Sequence, residues 1–487
     1  MNFDFVIRNV RIFDGSGEPE FNGDIAVKDG LIAAIGQGDC DQNSSANLID
    51  GRGLALAPGF IDVHTHDDTN VIQQPDMLPK ISQGVTTVIV GNCGISASPV
   101  SLKGDPPDPM NLLGAGEFFL YPTFKSYRDA VDAAQPSVNV AALVGHTALR
   151  NNHMNRLDRV ATNIEISAMQ DQLQEALANG ALGLSTGLAY SSAIYSDSHE
   201  VKTLAQVLSK FGGIYTTHLR TEFDGILDAM NEAFDVGMHT KVPVIISHLK
   251  CAGAGNWGRS GEIISAIEAA AKKQSVGCDC YPYSASSSTL DLKQVTDDFD
   301  IAITWSEPHP EMSGKLLANI AAEWQCSLME AAERLQPGGA VYHGMNENDV
   351  RNILRHSLTM VGSDGLPNDP LPHPRLWGAF PRVLGHYSRD VGLFSLAEAI
   401  RKMTRLSADR FGLHERGRIE VDAVADLVLF DPENICDTAS FTNPMQLADG
   451  IESVWVNGVL TYQNKKLTGA RAGKFLPRER DLRINFS

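Results

Sequence analysis

The chain has 487 residues, of which 43% are hydrophobic and 20% charged, and a formal net charge of −19. That length excludes a single small core and favours one large domain with a smaller companion. The acidic balance excludes recognition of nucleic acid or a membrane surface through a broad basic patch. The seven cysteines are odd in number and scattered, which fits a reducing cytoplasm better than a disulfide framework. The amino terminus lacks a basic n-region and an apolar h-region, and no apolar run reaches the roughly 18 residues of a membrane span.

From the amino end, Phe5–Phe13, Asp24–Val27 and Leu31–Gly36 read as short strands, with Asp29-Gly30 as the hairpin turn between the last two. The far end reads alike, with strands at Arg418–Val421, Ala425–Phe430 and Ser453–Leu460 and a second turn at Asn457-Gly458. Both β-rich ends are therefore expected to join in one small discontinuous β-domain, 1–55 with 415–480.

The middle, 56–414, alternates strand and helix. Apolar runs at Leu56–Val63, Gly84–Val90, Asn139–Gly145, Gly183–Thr186, Gly213–Thr217, Val242–Ser247, Ser275–Tyr281 and Thr359–Gly362 are separated by helical stretches such as Ile164–Ala178, Glu200–Phe211, Asp224–Val236 and Glu262–Lys273. A last helix is expected at Leu396–Phe411. Eight such units predict an α/β fold of the TIM-type (β/α)8 barrel kind, whose strands are buried on both faces. An open doubly wound sheet is the alternative, but no Gly-x-Gly-x-x-Gly turn follows the first strand. Between the seventh and eighth strands the interval 284–345, with Trp305 and Trp324, reads as an insertion that forms a lid or substrate wall. The Gly- and Pro-rich loop 101–116 reads as an exposed excursion near the site.

The strand ends carry the chemistry. In Pro58-Gly59-Phe60-Ile61-Asp62-Val63-His64-Thr65-His66, an apolar run ends in two histidines spaced i, i+2, so both leave the strand on one face. A bare His-x-His is usually no more than a decorated strand edge. Here, however, Cys93 follows the second strand, His146 the third, His218 the fifth, His248 the sixth and Asp364 the eighth, so five of the 14 histidines stand at strand ends. Imidazoles, a thiolate and a carboxylate on one rim suit Zn²⁺. Asp364 is placed to take a proton from a metal-bound water and deliver it to a leaving group. Arg220, Lys250 and Arg375 are the cations near that rim, and a guanidinium there is a sound anchor for a substrate carboxylate. Arg220 reads more readily as a surface cation. Cys278-x-Cys280 reads as core packing.

The segments Pro58–Asp68, Gly84-Val85-Thr86-Thr87, Gly91-Asn92-Cys93-Gly94-Ile95-Ser96, Ser247-His248-Leu249-Lys250, Tyr281-Pro282-Tyr283, Gly362–Pro367 and His373-Pro374-Arg375-Leu376-Trp377-Gly378 resemble the D-aminoacylase (N-acyl-D-amino-acid deacylase) family of the amidohydrolase superfamily. The resemblance spans nearly the whole chain, and its Gly-Asn-Cys-Gly and His-Pro-Arg-Leu-Trp-Gly pieces are its most specific parts. It implies one tightly bound zinc on Cys93, His218 and His248, and a second, weaker position on His64 and His66 with Cys93 able to bridge. Asp364 would be the catalytic acid/base. Arg375, Lys250, Tyr281 and Ser287 would hold the substrate α-carboxylate.

Hydantoinases and dihydroorotases are similar at His64 and His66 but bridge two metals through a carboxylated lysine on strand four, where this chain reads Gly183-Leu184-Ser185-Thr186-Gly187. The implied reaction is hydrolysis of an N-acyl-D-amino acid to a carboxylate and a free D-amino acid. The alternatives are a relative acting on a cyclic amide or a base, and a non-catalytic relative. Lys293, in the insertion, lies where an acidic substrate side chain would be met, although a surface lysine is the plainer reading. The preferred side chain, the number of working metals and the oligomeric state stay open.

Overall fold

The structure, a computed structural model, describes residues 3–36, 40 and 47–478. Residues 1–2, 37–39, 41–46 and 479–480 of the expected terminal segments therefore lie outside the described residues. Both ends of the chain feed one nine-stranded sheet. Its path runs Lys466–Leu467, Val459–Gln463, Ile451–Val456, Leu427–Phe430, Ala55–Pro58, Phe5–Ile12, Phe21–Lys28 and Leu31–Ile35, with Asn47–Asp50 paired to Phe5–Ile12 off the path. Asp29-Gly30 (φ 53° and 77°) and Asn457-Gly458 (φ 50° and 78°) turn its hairpins. Two consecutive residues at positive φ give the twist a tight hairpin needs. Ile7, Ile12, Leu56, Leu427, Leu429 and Trp455 pack on one side of this sheet.

The expected strand Leu56–Val63 is two strands in two different sheets. Ala55–Pro58 runs antiparallel to Leu427–Phe430, whereas Phe60–Asp62 runs parallel to Val85–Val90. The switch falls at Gly59, where a Cβ would sit 2.2 Å from the Thr86 hydroxyl oxygen. The backbone must approach Thr86 so closely that only glycine fits. Both halves are buried, so the apolar run hides the break. Arg418–Val421 is not a strand. Its Ile419 packs against the nine-stranded sheet from a loop, and its backbone N–H donates to Asp14 O at 3.0 Å.

The parallel strands form two arcs. One holds Phe60–Asp62, Val85–Val90 and Asn139–Ala142. The other holds Val144–Gly145, Gly183–Gly187, Ile214–His218, Val244–Ile246, Val276–Cys280 and Thr359–Val361. They meet at Leu143 on one side and through a parallel bridge between Thr65 and Gly365 on the other. Asp364 N–H donates to His64 O at 2.7 Å, and His66 N–H to Gly365 O at 3.0 Å, across that second junction.

Helices separate the strands. Asn163–Ala178 is opened by a capping box in which Thr162 and Glu165 satisfy each other's backbone N–H. The expected helix Leu396–Phe411 splits into Leu396–Met403 and Arg405–Phe411 at Thr404 (φ −132°, ψ −93°), whose hydroxyl donates back to Ile400 O. Between Cys280 and Thr359 the chain builds a three-stranded antiparallel sheet, with Gly338–Tyr342 between Ser286–Thr289 and Ile301–Ser306, and the helices Leu317–Glu323 and Leu328–Leu335. This segment has its own apolar cluster around Ile303, Ile320 and Leu335. Cys278 and Cys280 are buried core residues.

Candidate metal centre and substrate cavity

Three residues at the strand ends hold the left-handed backbone conformation that side chains rarely adopt: Cys93 (φ 53°), His248 (φ 34°) and Asp364 (φ 49°). Each such residue costs on the order of 1–3 kcal/mol unless its surroundings over-determine it. The surroundings do so here. Gly94 N–H, beside Cys93, donates to Ser185 Oγ at 3.0 Å, and Ser185 Oγ donates in turn to Gly91 O. His248 N–H donates to Asp279 Oδ1 at 2.9 Å.

The donors converge into two sets that share Cys93. His64, His66, Cys93 and Asp364 each offer an atom within 4.8 Å of the others, and so do Cys93, His218 and His248. Cys93 Sγ lies 3.2 Å from His64 Nε2 and 3.2 Å from His248 Nε2. Burial alone would raise the Cys93 thiol, but His64 and His248 outweigh it and hold the sulfur well below its usual range, as a thiolate. Thiolate, imidazole and carboxylate donors so placed fit a tetrahedral or five-coordinate zinc.

Other residues brace these donors. Asp279 Oδ1 stands 3.1 Å from His64 Nδ1 and also takes the His248 backbone N–H, so one carboxylate orients a histidine of each set. Glu222 Oε1 stands 2.9 Å from His248 Nδ1 and pairs with Lys250. Tyr190 OH lies 3.2 Å from His218 Nδ1. The distal ring nitrogens of His218 and His248 are thus engaged, which leaves each Nε2 for the centre.

Asp364 spans the site. Its Oδ1 lies 3.2 Å from His66 Nε2 and 3.5 Å from His64 Nε2, while its Oδ2 lies 2.9 Å from Arg375 Nη1. Burial pushes its carboxyl up, but Arg375 first and the histidines next outweigh burial and hold it well below the usual carboxylate range. Arg375 opens the helix Arg375–Arg382, packs its guanidinium over the Tyr281 ring at 4.6 Å and donates to Ser287 O at 3.1 Å. Its Nε and the Ser287 Oγ are buried without a hydrogen-bond partner among the described residues. These donors border a cavity of about 290 Å³ lined by His66, His218, His248, Lys250, Ser287 and Asp364. The cavity's outer wall carries Asp291, Lys293 and Gln294 and continues into a neighbouring cavity of about 580 Å³. Asp108 and Asn111 of the loop 101–116 line that second cavity, although Met110 and Leu113 of the loop are buried.

Of the ten site residues expected from the sequence, His66, His218, His248, Lys250, Tyr281, Ser287 and Asp364 line this cavity, and His64, Cys93 and Arg375 stand behind them in contact with His248, Asp364 and Tyr281. Two other rim residues do not join the centre. His146 starts a helix and pairs its Nε2 with Glu200 Oε1 at 2.8 Å beside Arg150, apart from the metal donors. Arg220 lines the cavity, but its guanidinium is taken up by Glu232, at 2.8 Å from each oxygen, and by the carbonyls of Ile194 and Ser196. Asp279, Glu222 and Tyr190 escaped the sequence reading. The only signal for Asp279 is a carboxylate inside an apolar strand.

A family model for the amidohydrolase family matches residues 47–462. Two Alcaligenes xylosoxydans xylosoxydans proteins are similar over almost their whole length: a D-aminoacylase, 47% identical over 98% of both chains, and an N-acyl-D-aspartate deacylase, 46% identical over 97% of this chain and 95% of that one. Among solved structures, a D-aminoacylase studied for its binuclear metal centre, with one-metal activation and second-metal attenuation, superposes with TM-score 0.95 at 46% identity, over 98% of this chain and 100% of that one. The N-acyl-D-glutamate deacylase of Bordetella bronchiseptica, complexed with zinc and a phosphonate mimic of the tetrahedral intermediate, superposes with TM-score 0.94 at 44% identity and the same coverage.

Proposed function

The chain belongs to the amidohydrolase family, and on that premise we propose that it is a zinc-dependent deacylase that hydrolyses N-acyl-D-amino acids to a carboxylate and a free D-amino acid. Cys93, His218 and His248 would hold the tight ion, and His64 and His66 would hold a second, weaker one, with Cys93 a member of both donor sets. Zinc bound there would polarise the acyl carbonyl and lower the pKa of a water towards about 7.

The chain's own residues do the rest. Asp364, ionised, takes the proton of the attacking water through Oδ1 and returns it to the leaving nitrogen, so the amine departs neutral. Arg375, Lys250, Tyr281 and Ser287 fix the α-carboxylate and so orient the amide over the centre. The unpartnered Arg375 Nε and Ser287 Oγ support that role, since buried donors without partners favour a ligand that satisfies them. The observation that carries the reading is the position of Asp364, with one oxygen among the metal donors and the other on the guanidinium that would hold the substrate.

The finer architecture belongs to the same reading. The parallel strands from Phe60–Asp62 to Thr359–Val361 form a TIM-type (β/α)8 barrel with the 284–345 insertion, and the described residues up to Pro58 join those from 415 to 478 in a small β-domain. Supporting this are the two junctions between the arcs, at Leu143 and at Thr65/Gly365, and the nine-stranded sheet shared by both ends. Cys93, Cys251, Cys278, Cys280, Cys326 and Cys436 carry free thiols, which supports a cytoplasmic setting, and no helix among the described residues is long and apolar enough to cross a membrane.

The test is a chiral assay on N-acetyl-D- and N-acetyl-L-amino acid pairs with acidic and apolar side chains. The reading expects free D-amino acid and essentially no L-amino acid. Equal release of both, or turnover of cyclic amides in their place, would overturn it.

A further inference from the structure

We infer that Lys80 is a positioning residue that fixes the spacing of His64, His66 and Asp364, and through it the affinity of the second metal position. The inference rests on the two-position reading above. Lys80 lies on the short helix Leu78–Ile81 and is entirely buried, together with Asp62, Thr65, Asp67 and Ser363. A lysine of zero exposure must be paired on every side, since a buried ammonium left unpaired is strongly destabilising. Its Nζ donates to Asp62 Oδ2, Thr65 Oγ1 and Ser363 Oγ, each at 2.8 Å, which uses all three of its protons. Asp67 Oδ2 stands 3.2 Å away.

Three of those partners adjoin a residue of the second position, and the fourth, Asp62, reaches one through a backbone hydrogen bond. Thr65 lies between His64 and His66, Asp67 follows His66, and Ser363 precedes Asp364. Asp62 Oδ1 accepts the Ser363 N–H at 2.8 Å and the His64 N–H at 3.3 Å. None of the four adjoins Cys93, His218 or His248 in the chain. The geometry needs such a tie. The strand ends carrying His64–His66 and Asp364 meet through one isolated bridge, Thr65 to Gly365, rather than through a ladder of paired residues. A backbone pairing of that length fixes direction but not spacing, and the ammonium adds side-chain bonds to both partners. Gly365 leaves it room, because a Cβ there would lie 3.1 Å from Lys80 Nζ.

The experiment titrates chelator-treated protein with Zn²⁺ by equilibrium dialysis with elemental analysis, which reads the two binding steps separately. In Lys80→Met the second step should weaken at least about tenfold, the scale on which outer-sphere partners of metal ligands act, while the first stays within about threefold of wild type. Ser363→Ala keeps the ammonium and both carboxylates, so it folds more readily. It should weaken the second step alone, by less, and it decides the matter where Lys80→Met does not fold. Unchanged second-step affinity in a folded variant, or equal loss at both steps, overturns the inference. Wild-type protein that binds one zinc and no second overturns it and leaves the deacylase reading standing. Wild-type protein that binds none overturns both.

Discussion

The floor of the cavity and its outer wall are built on opposite principles. On the floor, His64, His66, Cys93, His248 and Asp364 are all 8% exposed or less, and three of them are held by a second group: His64 by Asp279, His248 by Glu222 and Asp364 by Arg375. On the wall, Ser286, Ser288, Asp291 and Gln294 are half-buried, and Lys293 is exposed on a single 3₁₀ turn that Asp291 caps through the Lys293 N–H. Among the described residues Lys293 has no ion-pair partner. Over-determined groups fix a reaction, because strained backbone and buried charge persist only where everything around them agrees. A turn with few contacts is free to change, and it is where a choice among substrates can be altered without disturbing the chemistry.

Breaking the floor should therefore cost far more than altering the wall. The largest effect is expected from Cys93→Ala, which removes the donor common to both sets. Zinc content should fall at both positions and deacylation should drop to background, as metal analysis alongside turnover would show. Next comes Asp364→Ala, which should lose about 10²–10⁴-fold in kcat, the usual worth of a general acid–base, while zinc on Cys93, His218 and His248 is retained. Near-normal turnover in that variant would remove Asp364 from the mechanism.

Arg375→Met should raise KM roughly 30- to 150-fold, corresponding to the loss of about 2–3 kcal/mol of charge-assisted hydrogen bonding to the substrate carboxylate. The same variant tests the electrostatics. Arg375 lowers the pKa of Asp364, so its removal raises that pKa, the base is protonated at a higher pH, and the acid limb of the kcat profile moves upward. An unmoved acid limb would mean that the ion pair does not tune the base. The smallest effect belongs to the wall. Lys293→Met should shift the ratio of N-acetyl-D-aspartate to N-acetyl-D-leucine turnover only several-fold, with zinc content and the pH profile unchanged. A change in zinc content would show that wall and floor are not separable.

The same contrast explains what was legible in the sequence. His64, His66, Cys93, His218, His248 and Asp364 each close an apolar run, so periodicity alone brings them to one rim. Periodicity cannot say which way a side chain leaves that rim. His146 stands in the same kind of position, yet helix begins at His146 itself and its ring meets Glu200. Lys80, Asp279 and Glu222 gave no pattern, because each acts through partners remote in the chain: Ser363, His64 and His248. The division at Gly59 was invisible for a related reason. Two strands buried in two sheets read as one continuous apolar run, and only the approach to Thr86 separates them.

Zinc removal and return tests the central claim most directly. The protein is stripped with a chelator and reloaded with measured equivalents of Zn²⁺, and hydrolysis of N-acetyl-D-amino acids is followed at each step. The account predicts no turnover in the stripped protein, full recovery with the first equivalent, and no recovery in Cys93→Ala. Turnover that survives stripping, or that returns in Cys93→Ala, would contradict it.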